Sequence, residues 1–420
     1  MKIPGFLDQR PAVKPDVVLG PALWRGPALS SVVMDRSTGR QYELNHALRY
    51  VVERLDGTRT LAEIGEDYER VFTRQLDENS WSRILALLGA RRLLVGGPAE
   101  TRTTAPPAPS SAPGAVRRAT WWSGHLVLGN PSLPLERWHG RVGALFSPYV
   151  FGSAMALFGA AEVVVVRHLG EIFIDCSALL RRPVLLLAVV LLLAVSTGLH
   201  ELAHGLTARH FDGDATEIGI AWFLPAVFPY CKVEGVSLFA SRWRRAATAF
   251  AGAFANLLVL LPFLPLWWWS GSATSLRAVA GGFLLAGSVT TAANLLPIAR
   301  MDGYQVLGAL LNISNLSDES RRYRRLLVRK VRRGPDGTLD YPRWARWVYG
   351  AYPFLAVSSG GAFLLALVYV CFRVGAPVFG NLAVTVLVSL VSAAVLAALV
   401  TRNAYARTAA DAAAKASTTV

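Results

Sequence analysis

The chain has 420 residues, 53% of them hydrophobic, and a formal net charge of +15 at pH 7. So apolar a composition argues against an ordinary soluble protein. Three widely spaced cysteines, Cys176, Cys231 and Cys371, argue against a disulfide framework or a zinc knuckle and read as apolar free thiols. The opening MKIPGFLDQRPAVKP has no apolar core behind its charges, so no signal peptide is expected.

Residues 1–98 carry 14 Lys/Arg against 12 Asp/Glu and read as a soluble domain. ALSSVVMDRSTGRQYELN predicts two short strands around a Gly-containing turn. NHALRYVVERLDG predicts a short helix with Leu48, Val52 and Leu55 on one face. Thr60 and Glu63 form a capping box that opens a second helix carrying Leu61, Ile64, Tyr68 and Val71. A third helix places Trp81, Ile84, Leu85 and Leu88 at helical spacing, and RRLLVGG is expected to close the sheet. The unit resembles a winged helix. Its near-neutral charge argues against DNA, whose binding depends on phosphate neutralisation.

Residues 99–118 are rich in Pro, Ala, Ser and Thr and read as a flexible linker. Residues 119–141 carry Trp121, Trp122 and Trp138, which suit a membrane interface. About six transmembrane helices are expected within 142–402, near 142–166, 183–207, 246–269, 278–299, 347–372 and 377–400, with a tail at 403–420. Residues 218–231 are too short and too Pro-broken to span and read as a re-entrant or hairpin segment, covered by protein. The loop 303–346 holds 10 Lys/Arg and 4 Asp/Glu. The positive-inside rule puts it in the cytosol together with both termini, in a multi-pass protein of the cell membrane. No nucleic-acid partner is expected from this basic run.

Inside the second apolar run stands HELAH. An ionisable group near the bilayer centre costs about 3 kcal/mol or more, so His200, Glu201 and His204 need a reason to be there. On a helix, positions i and i+4 share a face, so both imidazoles reach one metal ion. Glu201 lies about 100° round and approaches the attacking water without being a ligand, the arrangement of zinc proteases. His210 points away from the pair and reads as an interfacial histidine. A third ligand must come from elsewhere. Glu217 and Glu234 qualify by residue type; Asp302, after the fourth apolar run, is a better candidate, although Asp302-Gly303 alone reads as a turn.

HELAHG together with Asn294-x-x-Pro297-x-x-x-x-Asp302-Gly303 resembles the paired signature of the site-2 protease family of membrane-embedded zinc metalloproteases, over about residues 183 to 310. The resemblance implies zinc held by His200, His204 and Asp302, Glu201 as the catalytic base and Asn294 as a contact to the substrate backbone. It also implies a membrane hairpin that binds substrate in extended form, where 218–231 stands. The PDZ-like domain that many bacterial regulatory members carry is not evident.

GRQYELNHALRYVVERLDGTRTLAEI is similar to PqqD-like domains, which recognise leader peptides in systems that make ribosomally synthesised, modified peptides. The matching features are Tyr-x-Leu-Asn at 42–45, Leu-Asp-Gly at 55–57 and the Thr-x-x-Glu-Ile helix start. That likeness implies leader capture by strand addition at an edge near Gln41, Tyr42, Glu43 and Leu44. The combination resembles peptide-maturation metalloproteases of modified-peptide gene clusters, daptide-type clusters among them. The partners it implies are a precursor peptide, membrane lipid and modifying enzymes of the same pathway. Two other readings stay open. One is a regulatory protease cutting membrane-anchored signalling proteins; the other is a non-enzymatic immunity or export protein with a zinc-stabilised bundle.

Overall fold

The computed structural model describes residues 5–95, 116–120, 123–131, 143, 147–223, 226–272, 274–332 and 335–386. Most of the expected linker, the three interfacial tryptophans, most of the sixth expected span (377–400) and the tail at 403–420 lie outside the described residues. The chain packs as two units. One draws on Met1–Gly152, Ala194–Asn256 and Ala292–Ser359, the other on Ser153–Leu193, Leu257–Thr291 and Gly360–Val420.

The first unit begins with an antiparallel sheet in the order β1 (Val17–Arg25), β2 (Ala28–Asp35), β3 (Arg40–Asn45). Three helices follow, α1 (His46–Val52), α2 (Leu61–Phe72) and α3 (Glu78–Ala90). Each is capped by the residue its sequence offers. Asn45 accepts from Leu48 N at 2.7 Å, Thr60 and Glu63 make the reciprocal capping box, and Asp77 accepts from Ser80 N at 2.9 Å. Such caps contribute about 1 kcal/mol each. Val33, Leu44, Leu55, Leu61, Ile64, Trp81 and Leu88 are fully buried in the core of this domain, each side chain contributing about 1.5–3 kcal/mol.

Two expectations need correction here. Strand β1 was not anticipated, because Gly20-Pro21 interrupts its alternation; the register shift between Leu19 and Ala22 marks an irregularity where the proline's missing donor does no harm. Residues 91–95 do not close the sheet as a strand, for Leu94 makes only an isolated bridge to Val13.

A second sheet of this unit has the order β4 (Val116–Thr120), β5 (Ser123–Gly129), β6 (Asp214–Phe223), β7 (Ala226–Glu234), all antiparallel. The expected hairpin is therefore present as β6–β7. The stretch read as linker end and interfacial segment supplies two further strands, which give the hairpin backbone partners. Gly219 is required where β5 crosses β6, since a Cβ there would overlap the carbonyl oxygen of Leu126.

Among the described residues, five helical segments are long and apolar enough to cross a bilayer: Pro148–Arg167, Pro183–His210, Arg242–Trp269, Ser275–Asn294 and Arg343–Phe379. They comprise α4 (Pro148–Arg167), α6 (Pro183–His210), α7 (Arg242–Leu260) with α8 (Phe263–Trp269), α9 (Ser275–Asn294) and α12 (Arg343–Phe379). A short helix, α5 (Leu169–Leu180), follows α4. On α12, Phe354, Val357 and Leu365 are more than two-thirds exposed, a surface that suits lipid and not water. Helix α12 also runs straight through residues 373–376, where a loop was expected. In the second unit, Arg277 pairs with Asp175 at 3.2 Å and with Glu171 at 2.6 Å. Trp267 donates to Asp175 at 2.8 Å beside a core of Ile172, Phe173, Phe283 and Leu284.

The basic stretch 303–346 is not an open loop. Most of it folds as α10 (Asp302–Leu311) and α11 (Leu316–Val331), before α12 begins. Helix α11 is amphipathic. Leu316 and Tyr323 are buried with Ile313, Tyr341 and Tyr349, while Arg321, Arg322, Arg324 and Arg325 face outward.

Candidate active site

Helix α6 carries His200 and His204 one turn apart. His204 Nδ1 lies 2.7 Å from the carbonyl oxygen of Thr248 on α7. A carbonyl only accepts, so Nδ1 carries the proton and Nε2 keeps its lone pair, the tautomer that binds a metal. One turn before His200, Ser196 Oγ donates to Asn256 Oδ1 at 3.1 Å, both residues buried. This second contact fixes α6 against α7.

Between those two contacts stands Gly252. A Cβ there would lie 2.5 Å from ring atoms of both His200 and His204. The imidazoles therefore pack directly on the α7 backbone. Thr248, Gly252 and Asn256 recur at i, i+4, i+8 on one face. They were missed in the sequence, although polar and small residues at helical spacing inside an apolar run were the signal that exposed HELAH.

Asp302 is the first residue of α10, where the helix dipole favours its negative charge. Gly303 beside it is obligatory, because a Cβ would overlap the carbonyl of Leu295 in the turn that returns the chain to this point. Asp302 Oδ2 lies 3.1 Å from His200 Nε2 and 3.6 Å from His204 Nε2; the two Nε2 atoms are 3.2 Å apart. Nitrogen and oxygen ligands about 2.1 Å from a tetrahedral zinc lie about 3.4 Å from one another, so the three separations match a common ion. Asp302 Oδ2 and His200 Nδ1 are buried without an aligned hydrogen bond, and a cation among the three would satisfy that oxygen. Burial opposes the charge on Asp302, but the neighbouring imidazoles outweigh it and hold its carboxyl down at about 2.

Among the described residues these three form the one grouping suited to a metal ion. The two alternative ligands are engaged elsewhere. Glu217 accepts from the Tyr230 hydroxyl at 2.5 Å, and Glu234 pairs with Lys232 at 2.6 Å. His210 ends α6 against the ring of Phe211.

Glu201 lies about 100° round α6 from His200, where its carboxylate accepts from the backbone N–H of Cys231 at 3.0 Å. Strand β7 is the outer strand of its sheet, so its free side faces the site. Burial, with Glu201 adding to it, pushes the Cys231 thiol up to about 12, and Cys231 stands outside the grouping of His200, His204 and Asp302. Glu201, His204, Asp302 and Cys231 line one cavity of about 570 Å³ with Arg245, Thr248, Tyr304, Gln305 and Leu23. Asn294 ends α9, half-buried, and is not among the lining residues.

The residues expected to bind a leader all lie on β3, an outer strand of the first sheet. Leu44 is buried in the core and Tyr42 lies under the Arg91 guanidinium, 5.2 Å from the ring centroid. Glu43 pairs with Arg25, and Gln41 is exposed.

Residues 188–283 match the model of peptidase family M50, the site-2 protease family, whose members are zinc metalloproteases. The match takes in His200, Glu201, His204 and Gly252 and supports a membrane metalloprotease. No curated protein and no solved structure matches the chain.

Proposed function

We propose that this chain is a membrane-embedded zinc endopeptidase that removes the leader from a ribosomally made precursor peptide. The observation that carries the proteolytic reading is the convergence of His200, His204 and Asp302 on one point, with Glu201 beside them on a shared cavity. Zinc bound there supplies Lewis acidity to the scissile carbonyl and to the attacking water. Glu201 takes the water's proton on a carboxylate oxygen and delivers it to the leaving amine. The Cys231 N–H orients that carboxylate. The outer edge of β7 offers backbone groups to an extended peptide; Asn294, which does not line this cavity, enters as a contact to the substrate backbone on the resemblance alone.

The PqqD-like resemblance adds the leader. The outer edge of β3, which pairs with no further strand among the described residues, receives it as an added strand. The test is to incubate the purified protein with a precursor encoded beside its gene, full-length or leaderless, and follow products by mass spectrometry. The full-length precursor is expected to be cut at one junction, and the leaderless form about 10²-fold more slowly at low concentration, the scale of a lost tether. Equal rates would remove leader capture and favour the regulatory-protease reading.

In this reading α10, α11 and both termini face the cytoplasm, because the basic residues of 303–346 greatly outnumber those near 270–277. Reporter fusions at Ser272 and Asp336 are expected to report opposite sides of the membrane. A shared side would overturn this orientation.

A further inference from the structure

The tip of the β1–β2 hairpin is locked to the segment that follows α10. Trp24 N donates to Asn312 O at 2.9 Å and Ser314 N donates to Trp24 O at 2.9 Å, a short parallel pairing. Gly26 N donates to the Tyr349 hydroxyl at 3.2 Å. Gly26 has φ +60°, and a Cβ there would lie 2.6 Å from Glu319 Oε2, so the turn fits its socket only as glycine. The Trp24 ring meets Trp344 edge-on at 5.5 Å.

Asn312 joins this docking point to the site. Its Nδ2 donates to Ala22 O at 3.1 Å and its Oδ1 accepts from Arg245 Nη2 at 2.5 Å. Arg245 stands on α7, the helix whose Thr248 carbonyl holds His204. Helix α10 begins at Asp302 and Asn312 caps its end, so ten residues, about 15 Å of helix, separate the metal ligand from the docking point. Successive side chains on a strand point to opposite sides. Trp24 turns into the tyrosine-rich cluster, and Leu23 turns into the cavity that Glu201, His204 and Asp302 line.

We propose that the N-terminal domain forms a working wall of the catalytic cavity, in which Leu23 contacts the bound peptide and determines which side chain is accepted about four extended residues along from the scissile bond. The domain thereby selects substrate at the site itself, in addition to any capture at β3. Ile313 and Leu316, which line the same cavity, extend this apolar wall. A peptide with an aliphatic or aromatic side chain at that position fits it. The inference rests on the proteolytic reading of the cavity.

The experiment uses the full chain, zinc-loaded in detergent, as wild type, Leu23→Ala and Leu23→Trp. The probes are two short peptide hydroxamates that differ only in a Gly or a Phe about four residues from the chelating group, with binding measured by calorimetry. A volume change at a pocket wall alters discrimination by about 10–200-fold. Leu23→Trp is expected to cut the Phe-over-Gly preference by tenfold or more, and Leu23→Ala, which enlarges the pocket, to raise it. A merely destabilised protein would weaken both probes alike, and either variant alone suffices if the other does not fold. An unchanged ratio in both variants would overturn the wall while leaving the protease reading intact. A shifted ratio in a protein that cuts none of the corresponding peptides would keep the wall and remove the protease.

Discussion

Glu201→Gln is expected to lower peptide-bond cleavage by about 10²–10⁴-fold, the usual contribution of a general base, while zinc per chain stays at the wild-type value. Glutamine keeps the size of the side chain and still accepts the hydrogen bond that the Cys231 N–H makes to Glu201. What it loses is the ability to take a proton. The distinction is sharp because Glu201 stands outside the three-atom grouping of His200, His204 and Asp302. A structural zinc site needs ligands and closes all its positions with them; it has no use for a base one residue along. Wild-type cleavage by Glu201→Gln, measured by mass spectrometry on the same precursor, would remove the proteolytic mechanism. It would leave the non-enzymatic reading, a zinc-stabilised bundle, in its place.

Asp302→Ala is expected to do the opposite and release the metal. Two imidazoles one turn apart remain, but a zinc site with two protein ligands falls short of the three that catalytic sites normally provide. Its affinity should fall by more than the roughly 10–100-fold that follows loss of an outer hydrogen-bond partner. Gly252→Ala is expected to lower affinity by a different route, since the new methyl would press on both rings at 2.5 Å and spread them. Zinc per chain after dialysis against a graded chelator checks both. Undiminished affinity in Asp302→Ala would place the third ligand elsewhere. Undiminished affinity in Gly252→Ala would mean that α7 gives way and the rings do not depend on it.

Features fixed by neighbouring residues were readable from the sequence. The box at Thr60 and Glu63 and the pair His200 and His204 lie within single helical turns, so spacing alone is informative. The apolar lengths of the spans were readable for the same reason, since bilayer thickness imposes them. Asp302 is about 100 residues from HELAH, and a carboxylate before a glycine is also what a turn looks like; its place after the fourth apolar run made it a better candidate than Glu217 and Glu234, and only the resemblance implied it as the ligand. Those two are engaged by other partners, Glu217 by Tyr230 across the hairpin and Glu234 by Lys232 on its own strand, which residue type does not reveal. Strand β1 was hidden by Gly20-Pro21. Counting charges in 303–346 concealed that Leu316, Tyr323, Tyr341 and Tyr349 pack together there. The docking of the β1–β2 tip was least accessible of all. It joins Ala22 to Asn312, 290 residues apart, largely through backbone groups that every residue possesses.

The central claim, that a single zinc ion held by His200, His204 and Asp302 makes this chain a peptidase, is tested most directly by titration. The protein is stripped of metal with a chelator, zinc is added back in steps, and precursor cleavage is followed at each step. Cleavage is expected to be absent from the stripped protein and to rise in proportion to zinc until one ion per chain is bound. Cleavage by the metal-free protein, or one tightly bound zinc per chain with no cleavage at any point, would contradict it.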